Sequence, residues 1–319
     1  MNTKKVIGIV VGALVLVYGI FFIVSGKAVF SLTNPYQGSN TIVHKKPSQL
    51  KIGVSLSTLN NPFFISVKEG VSEVANQAGA KIQIFDGQNS TNKQSNDVED
   101  MIQKKVDVLI INPVDSSAIT PEVKAANEAS IPVITVDRSS DGGKVLTLVA
   151  SNSREGGKMA AKFMIEKLGE GANIAELQGT PGASATRERG AGFDNAVKGH
   201  LNIVSKQTAN FDRTQGLNTT ENIIQGHPDI KGIFSQNDEM ALGAVQALKG
   251  NQDVLIVGFD GNDDGIAAVK KGEMAATVAQ DPKEMGRLAV QAAFKHFKGQ
   301  KVVPNIKSPL KLVVADKYK

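Results

Sequence analysis

The chain contains no cysteine among its 319 residues. This excludes disulfides, thiolate metal sites, cysteine nucleophiles and a lipid-modified cysteine as a membrane tether. Tryptophan is also absent, and aromatics are only 5% of the sequence, so phenylalanine must supply any flat apolar wall for a ring-shaped ligand. The histidines are four, His44, His200, His227 and His296, and none has metal-ligand spacing with a carboxylate. No serine stands in a GxSxG elbow. The glycine-rich Gln178-Gly-Thr-Pro-Gly182 matches neither GxGxxG nor a P-loop, so it reads as a tight turn. The pattern contains no base and nucleophile in a plausible pair. The expectation is a chain that is not an enzyme, with no cofactor and no metal.

Acidic residues are missing from the first 50 positions, which hold five lysines, Lys4, Lys5, Lys27, Lys45 and Lys46. Removing those five from the 36 basic residues leaves 31, against 31 acidic ones. The whole net charge of +5 therefore belongs to the N-terminal segment. The body has no global electrostatic reason to seek phosphate backbones, and no nucleic-acid partner is expected. Val6 to Val24 are apolar apart from Tyr18 and glycines and follow Lys4-Lys5, as in an export signal or a membrane span. Both readings place the body outside the cytoplasm. Ser25-Gly26-Lys27-Ala28 offers a cleavage point, whereas residues 29–50, with Pro35, Gly38 and Pro47, read as a linker and favour an anchor. Residues 1–28 are thus signal or anchor, and 6–24 are the segment that touches membrane.

From Lys51 apolar strands and helical patterns alternate. Strands are expected at 51–56, 81–85, 107–111, 132–136 and 145–149, with helices near 63–79, 92–104, 117–129 and 154–168. A second series places strands at 173–177, 202–206, 231–235, 254–258, 275–279 and 309–314. Its helices fall near 185–198, 214–225, 238–249, 262–271 and 283–298. Short, continuous Val/Ile/Leu strands between helices predict doubly wound parallel sheets, here in two units. The units look like copies. Asn112 closes one strand and Asp137 the next, 25 residues on; Asn237 and Asp260 repeat this at a spacing of 23. Asn and Asp often merely cap helices, but the matched pairs also suit two lobes facing a shared cleft.

The loop Ser57-Thr-Leu-Asn-Asn-Pro-Phe-Phe64 joins a first strand to a first helix, where ligands bind in such folds. It carries the amide of Asn61 and two adjacent rings, Phe63 and Phe64. Neighbouring helical residues point in different directions, so one ring is expected in the core, with the other as a staple or a ligand wall. Asp137-Arg138 follows a buried strand, and one of Arg187 and Arg189 is placed to reach a cleft. Phe211 stands at another strand-to-helix connection, and Gln280 ends a strand. Such a set bonds hydroxyls and stacks on ring faces.

These segments, together with Ile111-Asn-Pro-Val-Asp115, Ile131-Pro-Val-Ile-Thr-Val-Asp-Arg138, Ala185-Thr-Arg-Glu-Arg-Gly190, Gln236-Asn-Asp-Glu-Met-Ala-Leu-Gly243, Val257-Gly-Phe-Asp-Gly261 and Ala276-Thr-Val-Ala-Gln280, resemble the type I periplasmic binding proteins, and among them those of ribose import. The likeness runs in order from about Lys51 to Val314. It implies two α/β lobes joined by a three-segment hinge, with the ligand in the interlobe cleft. It also implies lobe 1 as 51–151 plus 281–309 and lobe 2 as 152–280 plus 310–319. The implied activity is capture of a monosaccharide, D-ribose, and delivery to the permease and ATPase complex of an ABC transporter; a chemoreceptor is a further implied partner. Carried over by motif, Asn61, Phe63, Phe64, Asn112, Asp137 and Arg138 would bind from lobe 1. Arg189, Phe211, Asn237, Asp260 and Gln280 would bind from lobe 2 and the hinge. Allose, galactose or a furanosyl signal as ligand, and an anchored sugar sensor, stay open as alternatives. A sugar-responsive repressor would need a helix-turn-helix where the apolar segment stands.

Overall fold

The computed structural model describes residues 44–248 and 253–319. The expected signal or anchor and most of the linker lie outside the described residues. Twelve strands and nine α-helices are described, and they build two six-stranded sheets.

The first sheet has the order β11-β5-β4-β3-β1-β2, all parallel. Its strands are β1 (Lys51–Leu56), β2 (Lys81–Asp86), β3 (Val108–Ile111), β4 (Val133–Val136), β5 (Thr147–Ser151) and β11 (Asn305–Ser308). Helices α1 (Pro62–Gln77), α2 (Thr91–Gln103), α3 (Thr120–Glu128) and α9 (Pro282–Phe297) pack on it. β3 and β4 are buried at every residue, as central strands covered on both faces must be. One cluster of side chains, with Ile52, Val54, Val67, Val71, Ile110 and Val290 among them, fills the space between this sheet and α1 and α9.

The second sheet repeats the plan as β12-β10-β9-β8-β6-β7. Its strands are β6 (Asn173–Gln178), β7 (Asn202–Thr208), β8 (Gly232–Ser235), β9 (Leu255–Asp260), β10 (Ala276–Ala279) and β12 (Lys311–Val314). α4 (Ser153–Leu168), α5 (Ser184–Val197), α6 (Arg213–Gly226), α7 (Asp238–Leu248) and α8 (Asp263–Lys271) cover it. The copies differ at the last strand: β12 runs antiparallel to β10, whereas β11 runs parallel to β5. The chain changes sheet three times, between β5 and β6, between β10 and β11, and between β11 and β12.

Three helix pairs close on reciprocal glycines. A Cβ on Gly70 of α1 would lie 1.9 Å from the Lys283 carbonyl, and one on Gly286 of α9 2.2 Å from that of Val67. Gly157 and Gly192 do the same for α4 and α5, and Gly216 and Gly243 for α6 and α7. Backbones that approach this closely leave no room for any side chain.

The structure departs from the sequence reading in two places. β11 was not expected, because Asn305-Ile-Lys-Ser has a single apolar residue and forms an edge strand, exposed at two of its four positions. Residues 44–50, expected in the linker, dock on the first lobe instead. Leu50 is fully buried, Lys45 N donates to the Phe297 carbonyl, and Lys45 pairs with Asp107. Leu50 directly precedes β1 and caps the turn Pro47–Gln49, so its burial carries that turn with it.

Candidate functional site: a cavity between the two lobes

Every loop that reaches the cavity leaves the carboxyl end of a strand, the position at which doubly wound sheets bind ligands. Asn61, Phe63, Phe64, Asp137 and Arg138 line it from the first lobe. Arg189, Phe211, Asn237 and Asp260 line it from the second. The space between them, counted together with the solvent at its mouth, is about 220 Å³.

Asn61 is the N-cap of α1, and its Oδ1 accepts from Phe63 N at 2.9 Å. The cap consumes the oxygen and leaves the Nδ2 donor to the cavity. Phe63 and Phe64 meet edge to face, with centroids 5.2 Å apart. Both belong to the core of the first lobe and both line the cavity. The expectation that the two rings could not share one core is therefore corrected. At the first turn of the helix the T-shaped contact lets both rings back onto the core and present a face outward.

Asp137 and Arg138 follow β4. Asp137 has φ 62, a left-handed backbone uncommon outside glycine. The Arg138 guanidinium lies between rings from the two lobes, 5.2 Å from the centroid of Phe64 and 5.2 Å from that of Phe211. Its Nη1 donates to the Pro113 carbonyl at 3.0 Å. Burial, helped by the neighbouring Arg189, draws Arg138 down to about 10, against the pull of Asp137 and Asp260. Arg189 enters from α5. Its Nη1 donates to the Gln236 carbonyl at 2.7 Å, and its guanidinium stacks on Phe259 at 3.9 Å. Arg189 also lies 3.5 Å from Asp137 and 3.6 Å from Asp260. Arg187, its neighbour in sequence, stays at the surface and pairs with Asp141.

Asp260 has φ 118 and Phe211 φ 60, so three of the residues lining the cavity hold sparsely populated backbone conformations. Such strain clusters at ligand clamps, where surrounding structure enforces it. Burial raises the Asp260 carboxyl well above its ordinary value, and Arg189 opposes the shift. Asn237 caps α7 through Met240 N and holds the Phe211 carbonyl through Nδ2.

Two of the expected site residues stand apart from the cavity wall. Asn112 is fully buried, with Oδ1 accepting from Ser57 N and Nδ2 donating to the Val136 carbonyl. Both ends of its amide tie the ends of β1, β3 and β4 together. Gln280 lies behind Asp260, donating from Nε2 to Oδ1 at 2.9 Å. Sequence reasoning missed Phe259, Gln236 and Gly179. Phe259 carried a signal, since it immediately precedes Asp260. Gln236 accepts from Gly179 N and donates to the buried Glu176, contacts between β6 and β8 that no spacing announces.

Arg138 Nε, Arg189 Nε and Gln280 Oε1 are buried with no hydrogen-bond partner in the protein. Each such group costs roughly 1–3 kcal/mol while unmet. A ligand rich in hydroxyls, which both donate and accept, gains by meeting those of the two arginines, whose side chains line the cavity. The lobes also bond directly at the rim. Ser116 N donates to the Gly182 carbonyl, Ser184 N to Ser116 Oγ, and Ser139 N to Ser184 Oγ, at 2.9–3.1 Å.

Residues 52–301 match the periplasmic binding protein domain. The chain belongs to the periplasmic binding protein family. This periplasmic binding protein is 54% identical to the ribose import binding protein RbsB of Bacillus subtilis, over 83% of its own length and 87% of that relative. It is 44% identical to the protein of the same name from Escherichia coli, over 90% and 98% of the two chains. A solute-binding protein from Actinobacillus succinogenes with bound D-allose superposes with a TM-score of 0.78 at 34% identity, covering 84% of this chain and 99% of that one.

Proposed function

We propose that the protein works outside the cytoplasm, captures D-ribose between its two lobes and delivers it to the permease and ATPase complex of an ABC importer. The observation that carries this reading is the interlobe cavity, in which two carboxylates and two guanidinium groups face phenylalanine rings from both lobes. Carboxylates accept from sugar hydroxyls, guanidinium groups donate, and the rings cover the apolar faces of the sugar. The names of the RbsB relatives support ribose among the sugars.

The sheet changes between β5 and β6 and after β10 and β11 support a hinge of three segments. The proposed rigid bodies are residues 51–151 plus 281–309 and residues 152–280 plus 310–319. A ligand that bonds both bodies shifts the equilibrium toward the closed form by its preference for that form. Tethering through residues 6–24 and contact with a chemoreceptor remain parts of the proposal, and N-terminal sequencing of the exported protein separates anchor from signal.

Isothermal titration of the protein with ribose, allose, galactose and xylose tests the ligand. Tight binding of ribose is expected. No heat with ribose beside tight binding of allose, the sugar bound by one structural relative, would overturn the ribose assignment.

A further inference from the structure

Asp238 opens α7 and is fully buried, yet it does not line the cavity. Its Oδ2 accepts from Gly261 N at 2.8 Å and from Asn262 N at 2.9 Å. Its Oδ1 accepts from Thr277 Oγ on β10 at 2.7 Å. The carboxylate is thus clamped onto the turn that directly follows Asp260. That turn needs holding: Asp260 has φ 118 and Gly261 φ 74, two consecutive residues at positive φ.

Space for the carboxylate is built into two neighbouring elements. A Cβ on Gly258 of β9 would lie 2.4 Å from Oδ1, and one on Gly265 of α8 would lie 2.3 Å from Oδ2. Ion pairing does not account for the charge, because the acids that bear on Asp238 are Glu239 on its own helix and Asp260 on β9. On α8, Asp263 and Asp264 are exposed, and Arg213 of α6 pairs with Glu239 and Asp264. Thr277 is the neutral contact from β10. What Asp238 gains is three donors, two of them from the strained turn. In the first lobe the equivalent turn after β4 is held by backbone, through Asp137 N to the Val149 carbonyl and Arg138 N to the Val136 carbonyl.

We propose that Asp238 is the positioning residue for Asp260, holding the backbone after β9 so that the Asp260 carboxylate faces the ligand. The effect on ligand affinity rests on the reading of the cavity as a ribose site; the hold on the turn does not.

A double-mutant cycle with D-ribose tests the first part. Asp238→Ala and Asp260→Asn are each expected to weaken ribose binding tenfold or more. The double variant should bind within about twofold of Asp260→Asn alone, because residues acting as a unit are not additive. Asp238→Asn should rescue Asp238→Ala, since the amide oxygen can accept from Gly261 and Asn262 while its NH₂ donates to Thr277. Losses that multiply in the double variant would overturn the proposal. Thr277→Val, nearly isosteric, repeats the cycle should Asp238→Ala fail to fold, with a smaller loss and the same coupling. Amide exchange at Gly261 and Asn262 needs no sugar: protection is expected in wild type and Asp238→Asn, and at least tenfold faster exchange in Asp238→Ala or Thr277→Val. Unchanged exchange would overturn the hold on the turn. A wild type that binds no ribose while the exchange pattern stands would defeat the ribose reading alone.

Discussion

Gly179 and Phe211 are fitted to each other: a Cβ on residue 179 would stand 2.0 Å from the Phe211 ring. The glycine in the loop after β6 clears the room in which a ring of the cavity wall sits. Phe211 cannot retreat, because its own backbone is held at φ 60 and its carbonyl is bonded by Asn237.

Gly179→Ala is therefore expected to push the ring into the cavity. Overpacking of this kind costs about 1–3 kcal/mol, and here it should appear mainly as lost sugar affinity. In Phe211→Ala the ring is gone, so adding Gly179→Ala to that variant should cost little more. Titration calorimetry on the two single variants and the double one checks this; full affinity in Gly179→Ala would contradict the fit.

Arg189→Lys keeps the charge but loses the planar fork that bonds the Gln236 carbonyl and stacks on Phe259. Removing a desolvated, hydrogen-bonded charge contact costs about 2–5 kcal/mol, and the lysine variant should lose a large part of that in ribose binding. Retained affinity would show that a point charge is enough there.

Stability should depend on pH through Asp238, whose carboxyl is raised by burial from 3.8 to about 7. Between about pH 4 and pH 7 the folded protein keeps a proton that the unfolded chain has released. Stability from this group is therefore fully present below about pH 4 and is lost as pH rises through about 7. Asp238→Asn has no such proton, so its stability relative to wild type should increase over that range, by a few kcal/mol in all. Urea denaturation of both proteins at several pH values measures it; parallel curves would refute it.

The rim bonds join the lobes without touching the cavity. Ser184→Ala deletes the acceptor for Ser139 N and should weaken closure by about 0.5–1.5 kcal/mol. Every sugar should lose affinity by a similar factor, with the ranking among sugars unchanged. A changed ranking would place Ser184 in recognition instead.

Much of the site was legible before any coordinates. Asn61, Asp137, Arg138, Asn237 and Asp260 stand at or just after strand ends, Arg189 lies in the helix that follows one, and their order along the chain already pairs the two halves. The backbone amides near each strand end hid the rest. Asn112 looks like a ligand residue in sequence, but the register of β1, β3 and β4 brings two backbone partners to its amide. The capping reading of Asn61 and Asn237 is realised through their side-chain oxygens, and both side chains also line the cavity, Asn237 with its nitrogen on the Phe211 carbonyl.

The sequence by itself determined the alternation of strand and helix, the duplication of the lobes and the charge balance of the body. These follow from local periodicity and composition. Tertiary structure decided which polar side chains face the cavity and which are spent on backbone, since that depends on partners such as Ser57, Val136, Gly261 and Thr277 far away in the chain. It also decided that Gly179, Gly258 and Gly265 are glycines for the sake of Phe211 and Asp238. Steric room is a property of two segments at once, and no single stretch of sequence contains it.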